Sequence, residues 1–168
     1  LGSVKDTHLA PLAHDQHAVA HRQHLRQVGR NQDDGQPLLC QVADDVVMSA
    51  FRSAGQRCSA LRLLFVQDDV ADRMIAMIAG AARELKVGDP RDPATHIGPV
   101  IDADAKARLD AHIARMKTTA RVHFAGETPA SGNFVAPHIF ELTSADQLTE
   151  EVFGPILHVV RYRAADLD

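Results

Sequence analysis

The sequence predicts an α/β domain built on a mainly parallel sheet flanked by helices, and three observations carry that prediction. Apolar residues recur at helical spacing in three separate stretches of the chain. Between and after those stretches lie short runs rich in Leu, Val, Ile and Phe, of the kind that form buried strands. Strands that alternate with helices are joined by crossovers, and crossovers lay neighbouring strands parallel. A length of 168 residues suits one domain with its own core and is too short for two large ones.

From Ala43 onward the elements follow one another regularly. Val46, Val47, Ala50 and Phe51 share one helical face, and that helix should end near Gly55, a residue suited to a left-handed cap. Leu61 to Val66 reads as a buried strand. Val70, Met74, Met77, Ile78, Ala81 and Leu85 mark one stripe of a helix that stops before Gly88-Asp89-Pro90. Asp102 is placed to cap the next helix, whose inward face carries Ala105, Leu109, Ile113 and Met116. Arg121 to Ala125, Phe134 to Glu141 and Ile156 to Tyr162 read as further strands.

Residues 1–42 behave differently and form a His/Gln-rich segment apart from the domain of residues 43–168. Five of the ten histidines fall here (His8, His14, His17, His21 and His24), with repeated glutamines and no coherent apolar stripe. Spacings of three, four and three bring His14, His17, His21 and His24 near one helix face, which zinc could use. No acid or thiol is placed with them, so composition explains the run better than a metal site.

Composition bounds the function. A hydrophobic content of 45% and a charged content of 24% are ordinary for a soluble globular chain. A formal charge of −4 with no basic patch does not indicate nucleic-acid binding. No apolar run approaches the roughly 18 residues of a spanning helix. Two cysteines in dissimilar surroundings make no disulfide framework, which fits a reducing, cytoplasmic setting.

The most informative segment is Ser53-Ala54-Gly55-Gln56-Arg57-Cys58-Ser59-Ala60-Leu61-Arg62. It sets a cysteine among small residues, beside a cation, between a helical stretch and a strand. Thiolate is the nucleophilic form of cysteine, and a neighbouring cation or aligned N–H groups favour it. The alternative is a small buried hydrophobe, as most free cysteines are.

Ser53 to Arg62 resembles the nucleophile segment of the aldehyde dehydrogenase superfamily. Three further segments resemble that family in the expected order. Gly88-Asp89-Pro90 with Gly98-Pro99-Val100-Ile101 is similar to a family loop, Gly132-Asn133-Phe134-Val135-Ala136-Pro137 to a strand entry, and Glu150-Glu151-Val152-Phe153-Gly154-Pro155 to a signature. Details such as Asp110-Ala111-His112-Ile113 and Ile156-Leu157-His158-Val159 resemble the Δ1-pyrroline-5-carboxylate dehydrogenase part of bacterial proline utilization A. His96 departs from the family, which usually has aspartate at that place in the loop.

The resemblance implies a site. Cys58 would be the nucleophile and its backbone N–H an oxyanion donor. Glu151 would accept hydrogen bonds from the ribose hydroxyls of NAD, and Phe153 would pack against the nicotinamide. Without the signature they would read as a solvated acid and a core aromatic. Ser59 would recognise the carboxylate of the aldehyde substrate, or else simply form a turn. Glu150 is expected as a surface acid, Arg57 as the partner of another acid, and no metal is expected. His112, His123, His138 and His158 look scattered and receive no role. The activity implied is NAD-dependent oxidation of glutamate γ-semialdehyde to glutamate. The implied parent protein carries an FAD-dependent proline dehydrogenase domain and oligomerises, with the present chain a fragment.

Two features set this chain apart from the family. No glutamate precedes Glu84, so the family's Glu-x-Gly-Gly general base, due near His24, is missing, and the chain alone is expected to be inactive. Asn31 to Cys40 can also be back-translated so that a one-nucleotide shift encodes Thr-Arg-Met-Met-Val-Ser-Pro-Ser-Ser-Ala. That resembles the family's Asn-x-Met-Ile-Val-x-Ser-Ser-Ala stretch, and motivates the hypothesis that the first 40 residues are read out of frame. A nucleotide sequence whose alternative frame lacks Glu-x-Gly-Gly would rule it out. Another aldehyde dehydrogenase, or a catalytically silent folded remnant, stands as the alternative. The enzymatic reading requires the Cys58 sulfur to be exposed at a helix-to-strand bend, facing the pocket beside Glu151 that the nicotinamide would enter.

Overall fold

The computed structural model describes residues 36–166, and from Leu39 onward the chain forms one compact unit. The histidine run His8–His24 lies outside the described residues, as does the segment proposed to be frame-shifted, apart from Gln36–Cys40. Helix α1 spans Gln36–Phe51 and runs into a short 3-10 turn at Arg52–Gly55. Strand β1 (Leu63–Gln67), helices α2 (Asp68–Arg83) and α3 (Ala103–Thr119), and strands β2 (Arg121–Ala125), β3 (His138–Leu142) and β4 (Ile156–Tyr162) follow.

The sheet order is β1-β4-β3-β2. Strands β1 and β3 both run parallel to β4, and only β2 runs antiparallel, against β3. The expectation of a mainly parallel sheet flanked by helices therefore holds. Side chains alternate along a strand, so His158 and Arg161, three positions apart on β4, point to opposite faces. His158 meets His112 of α3, and Arg161 bonds Asp72 of α2. Helices α2 and α3 thus lie on opposite faces of the sheet. The middle strands need apolar side chains on both sides, and Ile139, Phe140, Ile156, Leu157 and Val159 are inaccessible. Each contributes about 1.5–3 kcal/mol of burial.

Element by element, the helix starts and strand edges follow from local chemistry. The Asp102 carboxylate accepts from the Ala105 N–H at 2.7 Å, capping α3 as expected. Ala105, Leu109, Ile113 and Met116 are all buried. The stripe of α2 is turned by one residue from the expected one: Ala71, Met74, Ile75, Ile78, Ala79 and Ala82 go inward, and Val70 is exposed. Three alanines on the buried side let this helix sit close to the sheet. Strand β3 starts at His138, later than Phe134, because Pro137 has no N–H to give to a ladder.

Candidate active site

Cys58 stands, exposed, in the turn between the 3-10 segment and β1. The Ala60 N–H donates to the Arg57 carbonyl at 3.1 Å, closing a tight turn with Cys58 and Ser59 at its corners. Ser59 is exposed as well. The Leu61 N–H donates to the Ser49 carbonyl at 3.2 Å and ties the end of the turn back to α1.

The backbone entering this turn is unusual. Gly55 is left-handed as expected (φ 63°), but Ser53 (φ 57°) and Ala54 (φ 52°) share that conformation, which costs a non-glycine residue on the order of 1 kcal/mol. The helix thus ends at Phe51, four residues before the glycine. Gly55 is fixed by close approach too, since a Cβ there would lie 2.1 Å from the Gly154 carbonyl oxygen. The Cys58 segment and the Glu150–Pro155 loop are therefore in contact through two glycine backbones.

Arg62 fastens the two segments. Its guanidinium donates to the Gly55 carbonyl, to the Arg57 carbonyl at 2.9 Å and to Glu151 Oε1 at 3.3 Å, and lies 4.6 Å from the centroid of the Phe153 ring. Gln56 adds a second tie: its amide donates to the Phe153 carbonyl at 3.3 Å and accepts from the Ile101 N–H at 2.9 Å. Glu151 and Phe153 remain open to solvent, the Glu151 side chain 61% exposed and Phe153 42%. A cavity of about 390 Å³ opens beside them, lined in part by Gln56, Leu109, His112, Glu150, Glu151 and Phe153. Cys58 does not line it. Glu150 is exposed at its rim.

The structure thus brings Cys58, Ser59, Glu151 and Phe153 to one end of the sheet, with Arg62 between them. Arg57, expected to pair with an acid, instead donates to the Met48 carbonyl at 3.4 Å. His96 accepts the Lys86 N–H on Nδ1 at 3.0 Å and so holds its loop, a role an aspartate oxygen could also fill. Among the described residues no cluster of three or more His, Cys, Asp or Glu could hold a metal ion, and no described helix is long and apolar enough to cross a membrane.

Three histidines that looked scattered in the sequence are buried: His112, His138 and His158. Desolvation lowers all three below the ordinary histidine range, His158 to about 4. A signal for His112 was present, since it falls three after Leu109 and four before Met116 on the helical period. Arg62 gave none, because its partners Glu151 and Phe153 are remote in the chain.

The arrangement is a cysteine-bearing turn packed against a Glu-Glu-x-Phe-Gly-Pro loop. The Aldehyde dehydrogenase family pattern matches residues 38–167, and the chain belongs to that family. It is 47% identical over 143 residues to the bifunctional protein PutA of Klebsiella aerogenes, covering 80% of this chain and 11% of that protein. Identity to the 1-pyrroline-5-carboxylate dehydrogenase of Geobacillus kaustophilus is 35% over 128 residues, covering 74% of this chain and 25% of the relative. A crystal structure of a Bradyrhizobium japonicum proline utilization A mutant superposes with a TM-score of 0.76 at 80% identity, covering 77% of this chain and 13% of that one. The chain spans about a ninth of the length of the PutA relatives it matches.

Proposed function

We propose that this chain is the nucleophile-bearing segment of an NAD-dependent L-glutamate γ-semialdehyde (1-pyrroline-5-carboxylate) dehydrogenase of proline catabolism. The observation that supports this most is the Arg62 clasp, which ties the exposed Cys58 turn to Glu151 and Phe153. Similarity to bifunctional PutA and to 1-pyrroline-5-carboxylate dehydrogenase supports the substrate class. In this reading the Cys58 thiolate adds to the aldehyde carbon, forming the C–S bond as the carbonyl electrons move onto oxygen. The N–H of Cys58 donates to that oxygen. The Ser59 hydroxyl donates to the substrate carboxylate.

An open carboxylate and an open aromatic ring lining one cavity suit a dinucleotide, and about 390 Å³ lies within the range of ligand sites. Glu151 would hold the ribose hydroxyls, keeping one oxygen on Arg62, and Phe153 would limit movement of the nicotinamide. When bound, NAD supplies the hydride acceptor. Release of the acid needs a base to activate water, and no glutamate precedes Glu84 to provide one. A missing positioned base slows that step by roughly 10²–10⁴-fold. The parent reading includes an FAD-dependent proline dehydrogenase domain, oligomerisation and a cytoplasmic setting.

Alkylation of the 168-residue chain with iodoacetamide near neutral pH tests the nucleophile. Cys58 and Cys40 are both exposed, so exposure alone predicts similar rates. The expected result is Cys58 faster by about tenfold; equal rates would favour a silent folded remnant. Substituting residues 38–167 for the matching segment of Bradyrhizobium japonicum proline utilization A tests activity in a complete enzyme. That chimera should reduce NAD with glutamate γ-semialdehyde, and Cys58→Ala in it should abolish the reaction.

A further inference from the structure

Two of the buried histidines complete a hydrogen-bond chain that ends on the residue clasping the site. Arg115 Nη2 on α3 lies 3.0 Å from His112 Nδ1, His112 Nε2 lies 2.9 Å from His158 Nε2, and His158 Nδ1 lies 3.1 Å from the Arg62 carbonyl oxygen. The two ends fix every proton between them, because a guanidinium only donates and a carbonyl only accepts. Arg115 therefore donates to His112 Nδ1. His112 carries its hydrogen on Nε2 and donates to His158 Nε2. His158 carries its hydrogen on Nδ1 and donates to Arg62. Both rings must be neutral, and they must be opposite tautomers. A further proton on either ring could sit only on a nitrogen that already faces an N–H.

We propose that Arg115, His112 and His158 are positioning residues, a relay that fixes the Arg62 main chain and, through its guanidinium, the Cys58 turn and the Glu151–Phe153 loop. The Arg62 carbonyl accepts twice from the same residue, from the His158 backbone N–H at 2.9 Å and from its ring. Swinging this carbonyl breaks both bonds and moves the guanidinium off Gly55, Arg57 and Glu151 together. Water offers little substitute, since His158 is 0% and His112 7% exposed. Burial, the largest influence, keeps both rings uncharged. Arg115 acts in the same sense on each, and Glu150 opposes it at His112.

The relay rests on Cys58 and Glu151 being the working groups, but its tests read protons and amides rather than turnover, so either idea can fail alone. Nitrogen-15 imidazole spectra of the full 168-residue chain at neutral pH should show His158 as the Nδ1–H tautomer and His112 as Nε2–H. The first is the minor form of free histidine in water, so it reports the bond to Arg62. Amide exchange reads the consequence at Ala60 and Leu61, whose N–H groups bond Arg57 and Ser49. His112→Leu should speed exchange there by about tenfold while the β2–β3 amides keep their protection. His112→Gln, which sets an amide N–H where Nε2 was, should restore it. Arg115→Met changes only an exposed side chain and should fold regardless, with a smaller acceleration of the same two amides. His158 found as the Nε2–H tautomer overturns the relay, as does wild-type exchange at Ala60 and Leu61 in Arg115→Met or in folded His112→Leu.

Discussion

On the α3 face of the sheet, His112 and His158 bond each other, a guanidinium and a carbonyl; on the α2 face, His123 bonds Glu141 at 2.5 Å, and Arg161 bridges Glu141 and Asp72. The same side chain serves opposite purposes a sheet's thickness apart. The buried pair has no acid bonded to it, so desolvation decides and both rings stay neutral. Across the sheet, burial would raise the Glu141 carboxyl, but hydrogen bonds from Arg161 and His123 outweigh it and hold that carboxyl below its usual range. One face must stay uncharged and the other must stay charged. Acid therefore attacks them in different windows.

The largest expected effect is acid weakening of the α3 face. His158 has its folded pKa near 4 against an ordinary 6.5, so between those values the unfolded chain holds a proton that the native chain refuses. Stability is then full above about pH 6.5 and falls as the pH drops toward 4, by roughly 3 kcal/mol from His158 alone. His112, shifted the same way, adds to the loss. Urea midpoints at neutral pH and near pH 5 measure it, and a flat midpoint would mean the pair tolerates charge.

Second in size is Arg161→Met on the α2 face. It leaves Glu141, whose side chain is 17% exposed, with His123 as its remaining bonded partner. The expected cost is about 2 kcal/mol at neutral pH, below that of a fully buried pair because both groups keep some solvent. The sign of its pH dependence is opposite to that of the histidine pair. Glu141 stabilises above the usual carboxylate range, and the variant's Glu141, without its guanidinium, takes up a proton sooner. The cost of the substitution should therefore shrink toward pH 4, and a cost that grew would contradict the assignment. His123→Gln comes third, under about 1 kcal/mol, because an amide N–H can replace Nε2 in bonding Glu141. Chemical unfolding reads this too, and a larger loss would mean the ring does more there than donate one hydrogen bond.

These two faces also mark how far the sequence could be read. Helical stripes gave all three helices and short apolar runs all four strands, although β1, expected as a buried strand, lies at the sheet edge with Phe65 54% exposed. The α2 stripe came out one residue off: Val70 looks more hydrophobic than Ala71, but the sheet admits the smaller residue. Cys58, Glu151 and Phe153 were legible because each sits in a contiguous motif. The network joining Arg62, His112 and His158 was not, since the bonds between these three residues span 46 and 96 positions. Such a chain of bonds exists only once α3 and β4 have closed on each other. The left-handed Ser53 and Ala54 were invisible too, since a serine and an alanine give no local signal for positive φ.

The smallest effect belongs to the outer side of the same helix that carries His112 and Arg115. Lys106 Nζ bonds Asp110 Oδ2 at 2.6 Å, one turn apart, with side chains 33% and 51% exposed. The distance is shorter than any bond that Arg161 makes to Glu141 or Asp72, so distance alone would rank the two together. Solvent decides otherwise: an exposed pair of this spacing gives about 0.3–0.5 kcal/mol, and screening by salt on the order of 0.5 M removes most of it. Lys106→Ala should therefore shift the urea midpoint barely at low salt and still less at high salt, while the Arg161→Met loss persists in both. If the two substitutions cost the same, and salt erases both alike, then burial is not what separates the faces of this sheet, and Glu141 and Arg161 would have to be treated as another surface pair.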